Sequence, residues 1–514
     1  MRKFIARHAK KVVGVLTGFD RVLFRGHLMN LCHEKGLRMF LCTQSALLKD
    51  FGRFAQAVTG LIRTASSQVA QDAGAPEEYL NSSSIRKEDV AKSIIAKRGI
   101  DEGLVCVLSA VEPCLSWQIF RSRAEKTQQP QRRLRKCLHL YYYFLDRDFG
   151  LMHVRIQTWM PYTIQVCVNG REWLARQLNH AGISHVQAGN CFLRIDDMDA
   201  AQQLMDRLVA SKWPKVLDDF VYRANPAMAT IIDAANGPYY WTAHQTEWAT
   251  DVLFRRPADL AAIYPQLSRH AISDFNTKDV LRFLGKTVTP RFKGEVLSDY
   301  KHRLEGVRVK HSVAANSVKM YDKAGSVLRV ETTIQYPKEF KVLRRAQGDP
   351  DSKLTLRPIR KGVIDIKARA DASNQVNERY LDALAVADCN QKLQRLLDPV
   401  LKRTKLGDQS VRALRPWSEP DQPLLLAISS GTFLVGGFRN QDILRQLHPD
   451  ITDKDERRRL SARITRLLRL LRAHGIIERK AGTYRYHVTI TGRRLIGAVI
   501  AVSGSSISKL RQSA

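Results

Sequence analysis

The sequence predicts an α+β, multidomain protein in which antiparallel sheets are backed by helices and a separate module closes the chain. Three observations carry that expectation. At 514 residues the chain exceeds what one hydrophobic core usually serves, so several domains are expected. Runs of alternating apolar and polar residues are joined by short Gly, Asn and Asp turns, as in hairpins and meanders. Between these runs, apolar residues recur at the three- and four-residue spacing of helices. The expected domains are 1–126 (α/β), 127–350 (α+β with an antiparallel sheet), 351–418 (helix and linker) and 419–514 (the closing module).

With 83 Lys+Arg against 50 Asp+Glu, the formal net charge is +33. The excess runs through periodic segments and is not confined to a tail, so a polyanion is the expected partner, and nucleic acid is the commonest one. The eight cysteines form no Cys-x-x-Cys pair, and Cys106 sits in the apolar run Leu-Val-Cys-Val-Leu. That usage fits reduced core thiols in a cytoplasmic protein, with neither a zinc knuckle nor a disulfide framework. No apolar run approaches the roughly 20 residues of a membrane span. The basic start leads into a short apolar run that meets Asp20 and Arg21, which reads as a strand and not as a signal peptide.

Along the chain, residues 12–24 suggest two short strands or a strand with a bulge. Residues 37–63 and 86–98 carry helical spacing, and 103–109 reads as a buried strand ending at Glu112-Pro113. Asp20 and Glu112 end apolar strands, as metal-binding carboxylates of a ribonuclease-H-like nuclease would and as turn caps do. The basic stretch 127–136 reads as a linker or phosphate-facing loop. Strands follow at 137–145, 151–159 and 162–168. Alternation places His139, Tyr141, Tyr143, His153, Arg155 and Gln157 on one face, either a single-strand stacking platform or a half-buried sheet face. At helical spacing His244, Glu247 and Asp251 share a side, which suits either a divalent metal or a solvated helix.

Residues 310–345 are the stretch around which the chemistry is expected. Val318, Met320, Leu328, Val330 and Thr332 alternate with polar neighbours across Asp322-Lys-Ala-Gly325-Ser, a hairpin pattern. Lys319, Tyr321, Arg329 and Glu331 then share the opposite face. A helix follows through Tyr380 to Val400, and 415–423 reads as a linker. Beyond it come a helix at 424–429, Gly436-Gly437, and Asn440 as N-cap of a helix to Leu447. A long helix is expected from Asp453 to His474, with Gly475 as its C-cap. Leu460, Ile464, Leu467, Leu468 and Leu471 fall on one side of it, and Arg458, Arg459, Arg463, Arg466 and Arg469 cover much of the rest.

The run Leu-Leu-Arg-Ala-His-Gly-Ile-Ile-Glu-Arg, a turn at Ala481-Gly482, then Tyr-Arg-Tyr-His-Val-Thr-Ile-Thr-Gly-Arg-Arg-Leu resembles the winged-helix domain of MarR-like bacterial regulators. The resemblance implies an arginine-lined helix in the major groove of duplex DNA, with Arg479, Lys480 and Arg485 of the wing on the backbone. The hairpin Val-Lys-Met-Tyr321-Asp-Lys323 and Leu-Arg329-Val-Glu331 resembles a strand pair of rolling-circle replication initiation factors from plasmids and filamentous phages. That resemblance implies a tyrosine attacking a DNA phosphodiester beside a divalent metal, Mg²⁺ or Mn²⁺. Tyr321 is then the candidate nucleophile, Glu331 a metal ligand or base, and Lys319, Lys323 and Arg329 the cations facing the phosphate. No His-hydrophobic-His pair precedes the hairpin, so the metal ligands stay open. The expected protein is a DNA-binding factor of a bacterial mobile element or replication-initiation type that cuts and joins one strand. The alternative is a winged-helix transcriptional regulator without catalysis.

Overall fold

The computed structural model describes residues 1–503 except 83, 123–126, 287–293, 304–305, 347, 350, 386–392, 430–432, 434–436 and 481–482. Expectations placed on Gly436, the Ala481-Gly482 turn and Cys389 lie outside the described residues. The chain is mixed α/β and divides into two compact units, Met1–Ser268 with Leu281–Ala385, and Arg269–Val280 with Val386–Ala514. No helix among the described residues is long and apolar enough to cross a membrane.

The first unit contains thirteen strands that bear on the site. They are β1 (Val12–His27), β2 (Glu77–Tyr79), β3 (Gly103–Ser122), β4 (Thr127–Asp146), β5 (Gly150–Gln157), β6 (Ile164–Asn169), β7 (His185–Ala188), β8 (Cys191–Ile195), β9 (Tyr240–Phe254), β10 (Val296–Arg303), β11 (Gly306–Val313), β12 (Asn316–Lys323) and β13 (Val327–Ile334). All but β7 and β8 join one eleven-stranded sheet in the order β10-β11-β12-β13-β9-β1-β6-β5-β4-β3-β2. Every pairing in it is antiparallel except β2 with β3.

Several expected boundaries move. The pairing of β3 with β4 runs from Gly103↔Leu145 to Ser122↔Thr127, so the stretches before and after the expected boundary at 126 share a sheet. The stretch 127–136, expected as a linker or phosphate-facing loop, is the outer half of β4 because each of its residues finds a partner on β3. Pro113 does not end β3. The run 239–251, read for a helical trio, lies from Tyr240 onward in β9, since its Trp and Thr residues suit a pleated, half-buried surface. The expected hairpin forms as β12 and β13, with Lys319 opposite Glu331 and Tyr321 opposite Arg329. Gly325 closes its turn at φ 79, and the Gly325 N–H donates to Asp322 Oδ1 at 3.0 Å.

One face of the central strands is the main core. There the helix Ile366–Leu384 is pinned by Asn377, whose Nδ2 donates to Trp248 O (3.1 Å) and Val330 O (3.0 Å) while Oδ1 accepts from Thr332 (2.6 Å). Residues 170–209 form the helix Gly170–His180, the β7–β8 hairpin and the helix Met198–Val209, and Leu174, Leu178, Phe192 and Met205 join that core. Gly18 lets the last helix approach, because a Cβ there would stand 2.1 Å from Met205 Cε. The aromatic row lies on one face as expected, with His139↔Gln157, Tyr141↔Arg155 and Tyr143↔His153 paired. It is no open stacking platform, however. Tyr141 and Tyr143 are buried in a cluster with Ala91, Ile94 and Ile95 of the helix Lys87–Arg98.

Burial, with Arg155 and Arg21 respectively, pushes His139 and His153 down to about 4, and burial pushes His311 to about 4. These imidazoles are neutral in the fold and take up protons on unfolding, so stability should be complete above pH ~6.5. It should fall as pH drops from there toward 4. Chemical denaturation at pH 7.5, 6, 5 and 4 checks this; a midpoint unchanged down to pH 5 would contradict it.

The second unit contains helices Asp421–Ile428, Asn440–Leu447, Lys454–Ala473 and Ile490–Ser503, with a hairpin of Ile477–Arg479 and Tyr486–Val488 before the last. Asp453 caps the long helix by accepting from Glu456 N at 2.7 Å, and Gly475 follows it at φ 67. Ile464, Leu468 and Leu471 pack with Leu495 and Val499 in this unit's core. Leu460 and Leu467 are partly buried against it. Asn440 is not an N-cap: it is the first helical residue after Arg439. Its Nδ2 donates to Ser461 O and Thr465 Oγ1 at 2.8 and 2.7 Å, tying the short helix to the long one.

Candidate functional site: a carboxylate cluster across three central strands

The ladder between β1 and β9 slips at three places, one of them between Phe19↔Trp248 and Arg21↔Glu247. Asp20 is the extra residue of that bulge. A bulge breaks the alternation of the strand, and here Asp20 and its neighbour Arg21 come to share the face of Glu247 and Asp251 of β9, with Leu16 opposite Asp251 and Arg21 opposite Glu247. On the other side of β9, Glu331 and Arg329 of β13 stand opposite Ala249 and Asp251. The result is that Asp20, Glu247 and Glu331, from three adjacent strands, each place a carboxylate oxygen within 4.8 Å of the other two.

A buried network sets these groups. Arg329 is 0% exposed. Its Nε and Nη2 donate to the two oxygens of Asp251 at 2.6 and 2.8 Å, its Nη1 to Asp20 at 3.1 Å, and its Nη2 also to Asn190 O at 2.6 Å. Arg171, at the start of the helix Gly170–His180, pairs with Asp251 at 3.0 Å. Burial alone would raise the Asp251 carboxyl, but the Arg329 and Arg171 guanidiniums outweigh it and hold it below the ordinary range. Asn190, in the turn between β7 and β8, donates through Nδ2 to both oxygens of Asp20 at 2.9 Å.

Glu331 is 1% exposed. The Tyr321 hydroxyl donates to its Oε2 at 2.7 Å, and Lys319 Nζ stands 2.7 Å from Oε1. That ammonium lies off the direction of a hydrogen bond, since Oε1 accepts none. Burial raises the Glu331 carboxyl, Lys319 opposes the rise, and Asp20 and Glu247 add to it. Burial and then the Glu331 charge push the Tyr321 phenol well above its ordinary value. Glu247 is half-buried and accepts from Gln245 Nε2 at 2.7 Å; among the described residues it has no ion pair.

Of the residues expected from the sequence, Tyr321, Glu331 and Lys319 therefore meet at the cluster, and Lys323 lies with its Nζ 5.9 Å from the Tyr321 ring centroid. Arg329 does not face a phosphate. It is sealed beneath the site because only a guanidinium can bridge Asp20, Asp251 and the Asn190 carbonyl at once. Asp20 belongs to the site, but Glu112 does not: it lies on β3, four strands away in the sheet order. There it accepts from Tyr141 at 2.7 Å and pairs with Lys87 (2.9 Å) and Arg155 (3.1 Å). The expected metal trio also divides, since on a strand Glu247 and Asp251 share a face while His244 is the extra residue of a second bulge. Nothing in the local sequence around Asn190 and Arg171 marks their roles. The signal available for Glu247 and Asp251 was the Thr246-Glu-Trp-Ala-Thr-Asp-Val run, whose β-branched and aromatic residues favour a strand.

In the second unit, Arg458, Arg459, Arg463, Arg466 and Arg469 are exposed along the long helix. Lys480 is exposed as well, whereas Arg479 bonds Thr483 O at 2.9 Å over the Tyr484 ring, and Arg485 donates to Gly437 O at 3.1 Å.

Oxygen-only donors of this kind fit a hard divalent cation such as Mg²⁺ or Mn²⁺ better than a soft one. Comparison with family models, curated proteins and solved structures finds no match to the chain.

Proposed function

We propose that the protein is a DNA-processing enzyme of the mobile-element or replication-initiation kind, which cuts one strand at the Asp20–Glu247–Glu331 centre. The observation that carries this reading is the convergence of three carboxylates from adjacent strands within a chain of net charge +33. Such a strongly basic protein seeks a polyanion, and an acidic centre within it repels phosphate until a cation intervenes. A divalent cation held by the three carboxylates would neutralise charge at a scissile phosphate.

Tyr321 is the nucleophile in this reading and Glu331 the base. The phenolic oxygen would attack phosphorus and pass its proton to Glu331, to which it already donates. The bond from phosphorus to one sugar oxygen would break, and that oxygen would take a proton from solvent. Lys319 would shift from Glu331 to the phosphate oxygens as charge develops. Residues 419–514 act as a winged helix on duplex DNA, with the exposed arginines of the long helix in the groove.

Labelled single-stranded and supercoiled substrates with Mn²⁺ test the chemistry. The expected product is a covalent protein–DNA adduct that survives boiling in detergent and is absent with Tyr321→Phe. An adduct that persists in Tyr321→Phe would move the nucleophile elsewhere, and intact substrate under every condition would leave a DNA-binding regulator. For the duplex interaction, Arg463→Ala with Arg466→Ala should cost roughly tenfold or more in affinity and flatten its salt dependence by about 0.9 for each phosphate no longer neutralised. The same changes at Lys509 and Arg511, which lie outside the described residues, should cost less. Equal losses in the two pairs would contradict the assignment of the long helix.

A further inference from the structure

The same sheet face carries a second concentration of charge, of the opposite sign. Arg25 stands four residues beyond Arg21, the partner of Glu247, and so about 13 Å along β1 from the carboxylates. It sits in a cross-strand row of Tyr141, Arg155, Gln165, Arg25 and Thr242. Its side chain makes one long bond, from Nε to Gln165 Oε1 at 3.5 Å. His27 follows on the same face of β1. His244 joins from β9 because the ladder slips between Leu23↔Gln245 and Phe24↔Ala243, leaving it as the extra residue.

Lys361 arrives from a segment laid along β9, where Ala243 N donates to Lys361 O at 2.9 Å and Thr242 bridges to Gly362. Beneath it is Arg369 of the helix Ile366–Leu384, 0% exposed. Arg369 Nη2 reaches Lys361 O at 3.4 Å, and its Nε and Nη1 have no hydrogen-bond partner. A buried guanidinium with two idle nitrogens is costly unless a negative ligand completes it.

Among the described residues no carboxylate pairs with any of these five basic side chains. The acid that acts on Arg369, Asp365, is committed to Arg344 and Arg360 at 2.7 and 2.8 Å. The cations bear on the two histidines. Burial and then Arg155 lower Arg25. Burial, Arg25, Arg132 and Lys361 lower His27. Burial, Arg25, Lys361 and Arg369 bring His244 down to about 4. Converging donors without a carboxylate partner suit an oxyanion, since a phosphate offers several acceptor oxygens to such a cluster.

We propose that Arg25, His27, His244 and Lys361, above the buried Arg369, form a phosphate-binding subsite that holds the backbone of the strand entering the carboxylate centre. The identity of the substrate as a nucleic acid strand rests on the function proposed above; the phosphate site itself does not. The distance along β1 would place the held phosphate outside the reacting one, so the subsite grips and orients the strand without touching the bond that breaks.

The test uses the full-length protein in EDTA, where no cleavage occurs and the catalytic reading is not in play. Wild type and Arg25→Gln/His244→Gln are titrated with a single-stranded 12-mer, with AMP and with inorganic pyrophosphate. A single-stranded probe carrying 5-iodouracil is crosslinked in parallel. Both changed residues are only half-buried, so the fold should persist, and Arg369→Lys gives an independent variant that keeps the charge. The double variant should bind the 12-mer roughly tenfold more weakly, with the slope of log affinity against log salt reduced by about 0.7 for each phosphate no longer held. Crosslinks should fall in residues 21–27 or 240–248. If the variant lost AMP or pyrophosphate and kept the 12-mer, the subsite would stand and its ligand would be a free phosphate compound. Wild-type affinity of the variant for all three probes, or crosslinks confined to residues 440–490, would overturn it. Failure of cleavage with Mn²⁺ while these binding losses hold would remove the proposed reaction and leave the subsite intact.

Discussion

Glu247→Gln is expected to reduce strand cleavage by at least a hundredfold while leaving the metal-free protein as stable as wild type. Glu247 is the informative member of the cluster because it is half-buried and, among the described residues, accepts one hydrogen bond and forms no ion pair. Its amide replacement keeps the shape and the contact with Gln245 but removes a charge from a hard-cation site. No buried cation is stranded by the change. Glu331→Gln, by contrast, would leave Lys319 without its partner 2.7 Å away, mixing a stability loss with the loss of a ligand. Two measurements check the expectation. Mn²⁺ should raise the melting temperature of wild type and not of Glu247→Gln, as binding to the native state alone requires. Cleavage of the labelled strand should fall in parallel. A variant that cuts at the wild-type rate would remove the carboxylate cluster from the reaction.

Arg329→Ala should produce the largest stability loss of any single substitution near the site, about 3–5 kcal/mol. The guanidinium is fully buried and bonds Asp251, Asp20 and the Asn190 carbonyl. Removing it leaves Asp251 against Arg171 alone and leaves Asp20 beside two other carboxylates with Asn190 as its remaining partner. A loss of that size corresponds to a fall in melting temperature on the order of 10 °C. The direction with pH follows from Asp251, whose carboxyl is held below its ordinary range. Its contribution is present above the unfolded carboxyl pKa of about 3.9 and is lost as pH falls through the lower folded value. Denaturant titration of wild type and variant at pH 7 measures the loss. A difference under about 1 kcal/mol would show that water reaches the network and that Arg329 is not its keystone.

The central hairpin was legible because its information is local. Alternation across a glycine turn fixes which of Lys319, Tyr321, Arg329 and Glu331 share a face, and a strand has only two faces to choose from. The long C-terminal helix was legible for the same reason, from Asp453, the leucine spacing and Gly475. Asp20 stood out as an acid in an apolar run, but its partner could not be read. A bulge changes which face a residue occupies, and the slip at Asp20 becomes visible only when β1 is laid against β9. The helical reading of Glu247 and Asp251 failed because three- and four-residue spacing on a helix and two-residue spacing on a strand both admit a pair four apart.

By itself the sequence determined that the chain is strongly basic, that residues 318–332 form a hairpin with a polar face, and that an arginine-covered helix lies near the C-terminus. Charge sums over the chain without regard to fold, and both patterns depend on neighbours within a few residues. Tertiary structure alone decided that Arg329 is buried beneath the site and that Asp20, Glu247 and Glu331 meet. It also decided that Arg25, His27, His244, Lys361 and Arg369 gather without an acid. Those groups come from strands, a helix and the segment carrying Lys361, up to hundreds of residues apart, and only the tertiary arrangement, set by which apolar faces bury together, brings their charges within reach of one another.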